Sequence, residues 1–164
     1  MTRDTQRAKV YAAESFVRTM FDRAAERNNR VVEFFGTHLT LPPEARFSSA
    51  ESVQAYVDRV VALPAVRDRW PGRVPLRVRP RQGATAAHYE RAGDTATVAV
   101  PQGRTMWALR ELVVLHEIAH HLSEAEPPHG PEFVGTFCEI AAVVMGPEVA
   151  HVLRVVYANE GVRS

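Results

Sequence analysis

The segment that most constrains this chain runs from Arg110 to His129, RELVVLHEIAHHLSEAEPPH. Its apolar residues recur at the three- and four-residue spacing of a helix that buries one side, namely Leu112, Val113, Leu115, Ile118, Ala119 and Leu122. On such a helix, residues four positions apart lie on one face, about a turn from each other. The spacing therefore places His116 and His120 side by side, with Glu117 on an adjacent face.

Two imidazoles in this arrangement are suited to a metal ion. Each can bind the same zinc ion at ~2.0–2.1 Å. Glu117 projects where it can take a proton from water without binding the metal itself, and HExxH helices use their Glu in this way. We therefore predict Zn²⁺ bound by His116 and His120, with Glu117 as the catalytic base. The alternative is a helix with two ordinary surface histidines.

A catalytic zinc site takes three protein ligands and leaves a fourth position for water. His129 follows His120 by nine residues and lies just before a predicted helix, whereas Glu139 follows His120 by nineteen residues within that helix. The ten residues between the two candidates span ~15 Å if that helix is straight, so they cannot both bind one ion. With His129 as the ligand, Glu132 and Glu139 are left as hydrogen-bond acceptors for metal-bound imidazoles.

The strings HEIAHHL and PHGPEF resemble those of the SprT-like and WLM-type zinc metallopeptidases. The whole chain is also similar to a small family of bacterial and phage metallohydrolases with an HEXXH motif. The SprT-like resemblance implies a zinc site of His116, His120 and His129. It also implies Glu117 as the base and a zincin-like core in which a sheet precedes the metal-binding helix. Together with its position beside a loop, this resemblance favours His129 over Glu139, the residue that a gluzincin-type site would use.

The remaining patterns predict an α+β fold. Helices are predicted at about 5–27, 49–63, 105–124, 131–145 and 148–157. A short strand is predicted at 31–35, followed by a loop, and residues 74–100 are predicted to form a small antiparallel sheet with a hairpin turn at Ala92–Asp94. N-terminal helices would thus be followed by this sheet and then by a zincin-like helical part. No repeat or linker interrupts the chain, so residues 1–164 are predicted to form a single domain.

Composition narrows the classes of partner and compartment. The chain has 164 residues, enough for a hydrophobic core, and a formal net charge of +1. So small a charge gives no general attraction to nucleic acid or membranes. Cys138 is the single cysteine, so no intrachain disulfide is expected. We find no signal-peptide pattern and no apolar run long enough for a membrane span, and we therefore expect a cytoplasmic protein without a membrane partner.

An arginine-rich stretch from Arg67 to Arg81 stands out locally, with six arginines and Trp70. These residues suit phosphate contacts, with Trp70 stacking on a base. They equally suit the solvent-facing side of an edge strand, where charge hinders aggregation between sheets. We favour the second interpretation.

The predicted function is a zinc-dependent metallohydrolase, most simply a metallopeptidase with a peptide or protein substrate. The alternative is a non-catalytic binding protein that keeps a metal for stability and associates with nucleic acid. His121 points ~100° away from His120 on the helix, so we expect it to lie at the surface or beside the ligands. Residues suited to stabilising an oxyanion, among which the sequence does not choose, are His88, Tyr89, Arg104, His151 and Tyr157.

Overall fold

The structure is a computed structural model that describes residues 3–82, 86–102 and 109–164. These ranges contain both helices and strands, which confirms the predicted α+β class. The helices are α1 (Arg7–Glu26), α2 (Ala50–Ala62), α3 (Pro64–Arg69), α4 (Glu111–Ser123), α5 (Pro131–Met145) and α6 (Pro147–Asn159). The strands are β1 (Val31–Phe34), β2 (Thr37–Thr40), β3 (Leu76–Arg81), β4 (His88–Ala92) and β5 (Thr95–Pro101). None of these helices combines the length and the apolar character that a bilayer crossing needs.

Contacts between residues divide the chain into two compact units. The first unit consists of Met1–Glu44 together with Glu124–Ser164, and the second is the continuous segment Ala45–Ser123. The first unit therefore combines α1, β1, β2, α5 and α6, whereas the second contains α2, α3, the three remaining strands and α4. The single domain over residues 1–164 stays a prediction.

In the first unit, helix α6 packs against both α1 and α5. The buried residues of α1 follow the helical period and include Val10, Ala13, Val17, Phe21 and Ala24. The helix ends as predicted before Asn28, which adopts a positive φ of 51°. Helix α5 has Pro131 in its first turn and ends before Gly146, whose φ of 110° an L side chain would rarely adopt. The observed bounds of α5 are the predicted ones, 131–145.

The first unit also contains a two-stranded antiparallel hairpin of β1 and β2, in which Val31 pairs with Thr40. The sequence predicted β1 but a loop in place of β2, and that prediction is wrong. The turn residues Phe35 and Gly36 have φ values of 47° and 80°. A tight hairpin turn of this kind requires positive φ at both central residues. Phenylalanine is an unusual residue for the first of these positions, so the sequence carries no clear turn signal.

The second unit contains a three-stranded sheet in the order β3-β5-β4. Strands β4 and β5 form the predicted antiparallel hairpin, although residues 83–85 of the predicted sheet lie outside the described residues. The sheet is not wholly antiparallel as predicted, because β3 pairs parallel to β5, with Leu76 opposite Ala96. Strand β5 is the most buried of the three, whereas β3 and β4 carry exposed charges. The apolar strand therefore takes the centre, and the charged strands take the edges.

Helices α2 and α4 complete the second unit. Ser49 caps α2 by accepting a hydrogen bond from the Ser52 backbone at 3.1 Å. Helix α4 was predicted to begin at Thr105, which lies outside the described residues. The backbone of Arg110 forms an isolated antiparallel β-bridge with that of Arg46, and α4 begins only at Glu111. The Glu111 carboxylate accepts hydrogen bonds from the Tyr56 hydroxyl at 2.5 Å and from the Ala45 backbone at 3.1 Å, which holds the start of α4 in place.

Candidate metal centre

His116 and His120 lie one turn apart on α4, as their spacing predicts. Their Nε2 atoms are 3.2 Å apart, and their rings meet edge to face with centroids 4.9 Å apart. Two nitrogens bound to one tetrahedral zinc ion at ~2.0–2.1 Å are themselves about 3.3–3.4 Å apart. The pair therefore fits a single ion with little rearrangement.

Helix α4 is buried along nearly its whole length, because it carries apolar residues on most of its faces. His116 is 4% exposed and Glu117 is 7% exposed, whereas His120 is the one residue of α4 that is half-buried. Burying polar side chains in this way costs free energy unless they are bound by other groups. Glu117 lies next to His116 on this helix, and its role as the catalytic base stays a prediction.

His129 lies in the loop before α5 and is 5% exposed. Its Nδ1 is 2.7 Å from Oδ2 of Asp4, and its backbone carbonyl accepts a hydrogen bond from Gln6 Nε2 at 3.1 Å. The rings of Tyr11 and Phe133 each lie 5.2 Å from the imidazole. An ionised carboxylate can only accept, so Nδ1 is the nitrogen that donates to Asp4, and Nε2 is the nitrogen left for a metal.

Ligand nitrogens from His116, His120 and His129 all lie within 4.8 Å of one another. The set consists of three imidazoles, which is a donor set typical of catalytic zinc. Glu139 is half-buried on α5 and is not a member of this group. The residues thus fit a zinc ion by ligand chemistry and by the spacing of the α4 pair. The choice of His129 over Glu139 as the third ligand stays a prediction.

No pattern in the sequence indicates Asp4 as a partner of His129. Glu132 and Glu139 were predicted as acceptors for metal-bound imidazoles, and for His116 and His120 that stays a prediction. The acceptor at Nδ1 of His129 is instead Asp4, 125 residues away in the chain. A contact of this kind depends on α1 packing against the C-terminal helices, which a local pattern does not reveal.

His121 is not at the surface, which was one of the two positions expected for it. It is 1% exposed, and its Nδ1 lies 3.2 Å from the Tyr89 hydroxyl. Burial lowers the pKa of His121 to about 4, the charges of Arg91 and Arg73 act in the same direction, and a hydrogen bond to the Val74 backbone opposes them. The ring that lies beside His120 in sequence is therefore neutral near pH 7.

The other residues predicted as oxyanion donors differ in their surroundings. Arg104 lies outside the described residues. Tyr157 is buried and donates to Glu14 Oε2 at 2.8 Å, and burial raises its pKa well above the ordinary value. The ring of His151 lies edge-on to Phe34, and exposed His88 lies 3.8 Å from Glu90. Among the described candidates, Tyr89 is the one whose ring lies parallel to that of a predicted ligand, His120.

The arginine-rich stretch is engaged with other parts of the second unit. Trp70 is 7% exposed, and the Arg69 guanidinium lies 5.2 Å from the ring centroid. Arg73 donates to the Leu122 carbonyl near the end of α4 at 2.6 and 3.1 Å. Arg79 pairs with Glu90 at 3.3 Å on the exposed side of the sheet. The burial of Trp70 disfavours stacking on a base, and the exposed charges of β3 agree with the interpretation as an edge strand.

No protein-family model matches this chain, and neither a curated protein nor a solved structure matches it. The resemblance to SprT-like and other HEXXH metallohydrolases therefore stays a prediction based on the residues quoted above. A function for this chain has to be argued from the site itself.

Proposed function

We propose that this protein is a zinc-dependent metallohydrolase, most simply a metallopeptidase with a zincin-like core. His116, His120 and His129 would bind Zn²⁺, and Glu117 would act as the catalytic base. The observation that carries the proposal is the set of three imidazoles, in which the two Nε2 atoms on α4 are separated by a distance suited to tetrahedral zinc. The HExxH order of the residues on α4 supports a hydrolytic use of that set.

The chemical roles follow from the side chains. Zinc, when bound by three neutral imidazoles, would lower the pKa of water towards ~7 and polarise a substrate carbonyl. Glu117 would take a proton from water and return it to the leaving amine, as a general base and then a general acid. Asp4 would hold the His129 ring in the tautomer that presents Nε2.

A peptide or protein is the proposed substrate class, because an amide is the bond on which an HExxH site with Glu as base typically acts. The proposed setting is the cytoplasm, where the lone thiol of Cys138 would remain reduced. The resemblance to SprT-like metallopeptidases supports the same substrate class.

The first test is metal content combined with Glu117→Gln. We expect about one zinc per chain in the purified protein, because two imidazoles on one helical face can together bind one ion. Glu117→Gln should keep that zinc and lose hydrolysis of a peptide library, because the carboxylate acts on water and does not bind the metal. Elemental analysis and product detection by mass spectrometry measure the two effects.

Glu148→Gln is the matched control, because Glu148 is exposed in the first turn of α6 and has no predicted role at the site. It should leave both zinc and hydrolysis unchanged. The proposal fails if no transition metal binds even after supplementation. The role of Glu117 is contradicted if its Gln variant loses the metal.

The alternative is a non-catalytic, metal-stabilised binding protein that associates with nucleic acid. Exposed Arg77 and Arg79 on β3 are the observation that favours it. Such a protein would use a fourth protein ligand in place of water. X-ray absorption spectroscopy of the zinc-loaded protein distinguishes a fourth protein ligand from a bound water. An open fourth position favours the hydrolase.

A further inference from the structure

Tyr89 lies on the edge strand β4 and is half-buried beside α4. Its ring is nearly parallel to the His120 imidazole, with an interplanar angle of 10° and centroids 6.1 Å apart. The same ring meets His121 edge to face at 5.8 Å. One tyrosine side chain thus lies along two consecutive histidines of the HExxH helix.

The Tyr89 hydroxyl is held at its far end by His121. The separation between the hydroxyl oxygen and His121 Nδ1 is 3.2 Å. The two groups share a hydrogen bond whichever of them donates, because both a hydroxyl and an imidazole nitrogen can act in either role. His121 is 1% exposed and therefore has little freedom to turn. The buried histidine anchors the tyrosine, and the tyrosine ring is fixed next to His120.

His120 is the ligand for which such support matters most. It is half-buried, whereas His116 and His129 are 4% and 5% exposed. A metal ligand has to be held within roughly 10–20° of its productive orientation for tight binding. A parallel ring beside the imidazole restricts its rotation about the Cβ–Cγ bond without competing for its nitrogens.

We propose that Tyr89, anchored by His121, is a positioning residue that sets the ring orientation of His120 for metal binding. This inference rests on the proposed function, because it assumes that His120 is a ligand. The HExxH motif includes no role for His121. The proposed role of His121 is to hold Tyr89 in place. Tyr89 acts on the metal through His120 and does not itself bind the metal or the substrate.

The test compares Tyr89→Phe and Tyr89→Leu with the wild-type protein. Zinc affinity is measured by competition with a chromophoric chelator, and the visible absorption of the Co²⁺-loaded protein reports the coordination geometry. Loss of the whole ring in Tyr89→Leu should weaken zinc binding about 10–100-fold, the range found when groups that orient metal ligands are removed. Tyr89→Phe keeps the ring but loses the anchor, so we expect a smaller loss and a shifted Co²⁺ spectrum.

Tyr157→Phe is the control for losing a tyrosine hydroxyl, because that hydroxyl is bonded to Glu14 in the first unit. It should leave zinc affinity and the Co²⁺ spectrum unchanged. If wild-type protein binds zinc and both Tyr89 variants match it in affinity and spectrum, the positioning role is wrong while the proposed function stands. If the Tyr89 variants keep zinc but lose hydrolysis, Tyr89 touches the substrate, and the positioning role is again wrong. Absence of zinc from wild-type protein would instead contradict the proposed function.

Discussion

At the scale of single residues, His129 depends on a side chain near the opposite end of the chain. Its Nδ1 lies 2.7 Å from Asp4 Oδ2, and the Gln6 amide donates to its backbone carbonyl. Gln6 is itself bonded to the backbone of Arg163 through both its amide nitrogen and its amide oxygen. The orientation of one predicted ligand is therefore fixed by three residues that follow no local pattern.

A series of three variants tests this arrangement. His129→Ala should lose zinc, because two imidazoles alone bind it weakly. Glu139→Ala should keep zinc at wild-type affinity. Asp4→Asn should fall between them, with affinity reduced about 10–100-fold, because the amide is a weaker acceptor for Nδ1. Isothermal titration with zinc measures all three.

The opposite order would identify a different site. If Glu139→Ala loses the metal and His129→Ala keeps it, the third ligand is the helix residue, as in a gluzincin-type site. If Asp4→Asn binds as tightly as wild type, the contact with Asp4 does not orient a ligand.

At the scale of secondary-structure elements, the sequence was most informative where proline and glycine fix an end. The bounds of α5 were predicted because Pro131 favours a first turn and Gly146 with Pro147 prevents continuation. The start of α4 was not predicted correctly, because its apolar spacing continues upstream of Glu111. The β-bridge between Arg46 and Arg110, which precedes the helix, is a long-range contact that no local pattern reveals. Strand patterns show which face is buried but not which strands are neighbours. The parallel pairing of β3 with β5 therefore came only from the structure.

The candidate site shows the same contrast between residues placed by local patterns and residues placed by long-range contacts. His116, Glu117 and His120 are predictable because their geometry is set by one helix. Tyr89 and Asp4 are not, because they reach the histidines from a strand and from the N-terminal segment. Residues that act through tertiary contacts leave no spacing signal in the chain.

The cap of α2 gives a prediction at this scale. Ser49→Ala removes the hydroxyl that accepts from the Ser52 backbone and should destabilise the protein by about 1 kcal/mol. The midpoint of thermal unfolding should fall by about 2–4 °C for a chain of this size. Ser48→Ala is the control, because Ser48 is exposed and does not cap the helix. Equal effects of the two variants, read by circular dichroism, would show that the cap does not contribute.

At the scale of the whole molecule, metal binding and folding should be coupled. Ligands that bind only the folded state stabilise it by an amount that grows with free ligand, about 2.7 kcal/mol at 100 times the dissociation constant. We therefore expect excess zinc to raise the unfolding midpoint by about 5–11 °C over protein treated with a chelator. Differential scanning calorimetry measures the shift.

His116→Ala is the control for that experiment, because it removes one ligand of the α4 pair. Its unfolding midpoint should be the same with zinc and with chelator. Two results would contradict zinc binding at the three histidines. One is an unfolding midpoint of the wild-type protein that zinc does not change, and the other is a zinc-induced shift in His116→Ala as large as that in wild type.

During synthesis, the ribosome releases the two halves of the first unit far apart in time. Residues up to Glu44 emerge before the second unit, and residues from Glu124 onwards emerge after it. At ~5–20 residues per second, the intervening segment of about 80 residues takes roughly 4–16 s. For that interval α1 exists without α6, so its apolar face is accessible to chaperones and proteases while the second unit is being synthesised. Asp4 is synthesised 125 residues before His129, so at ~5–20 residues per second it waits roughly 6–25 s before their contact can form.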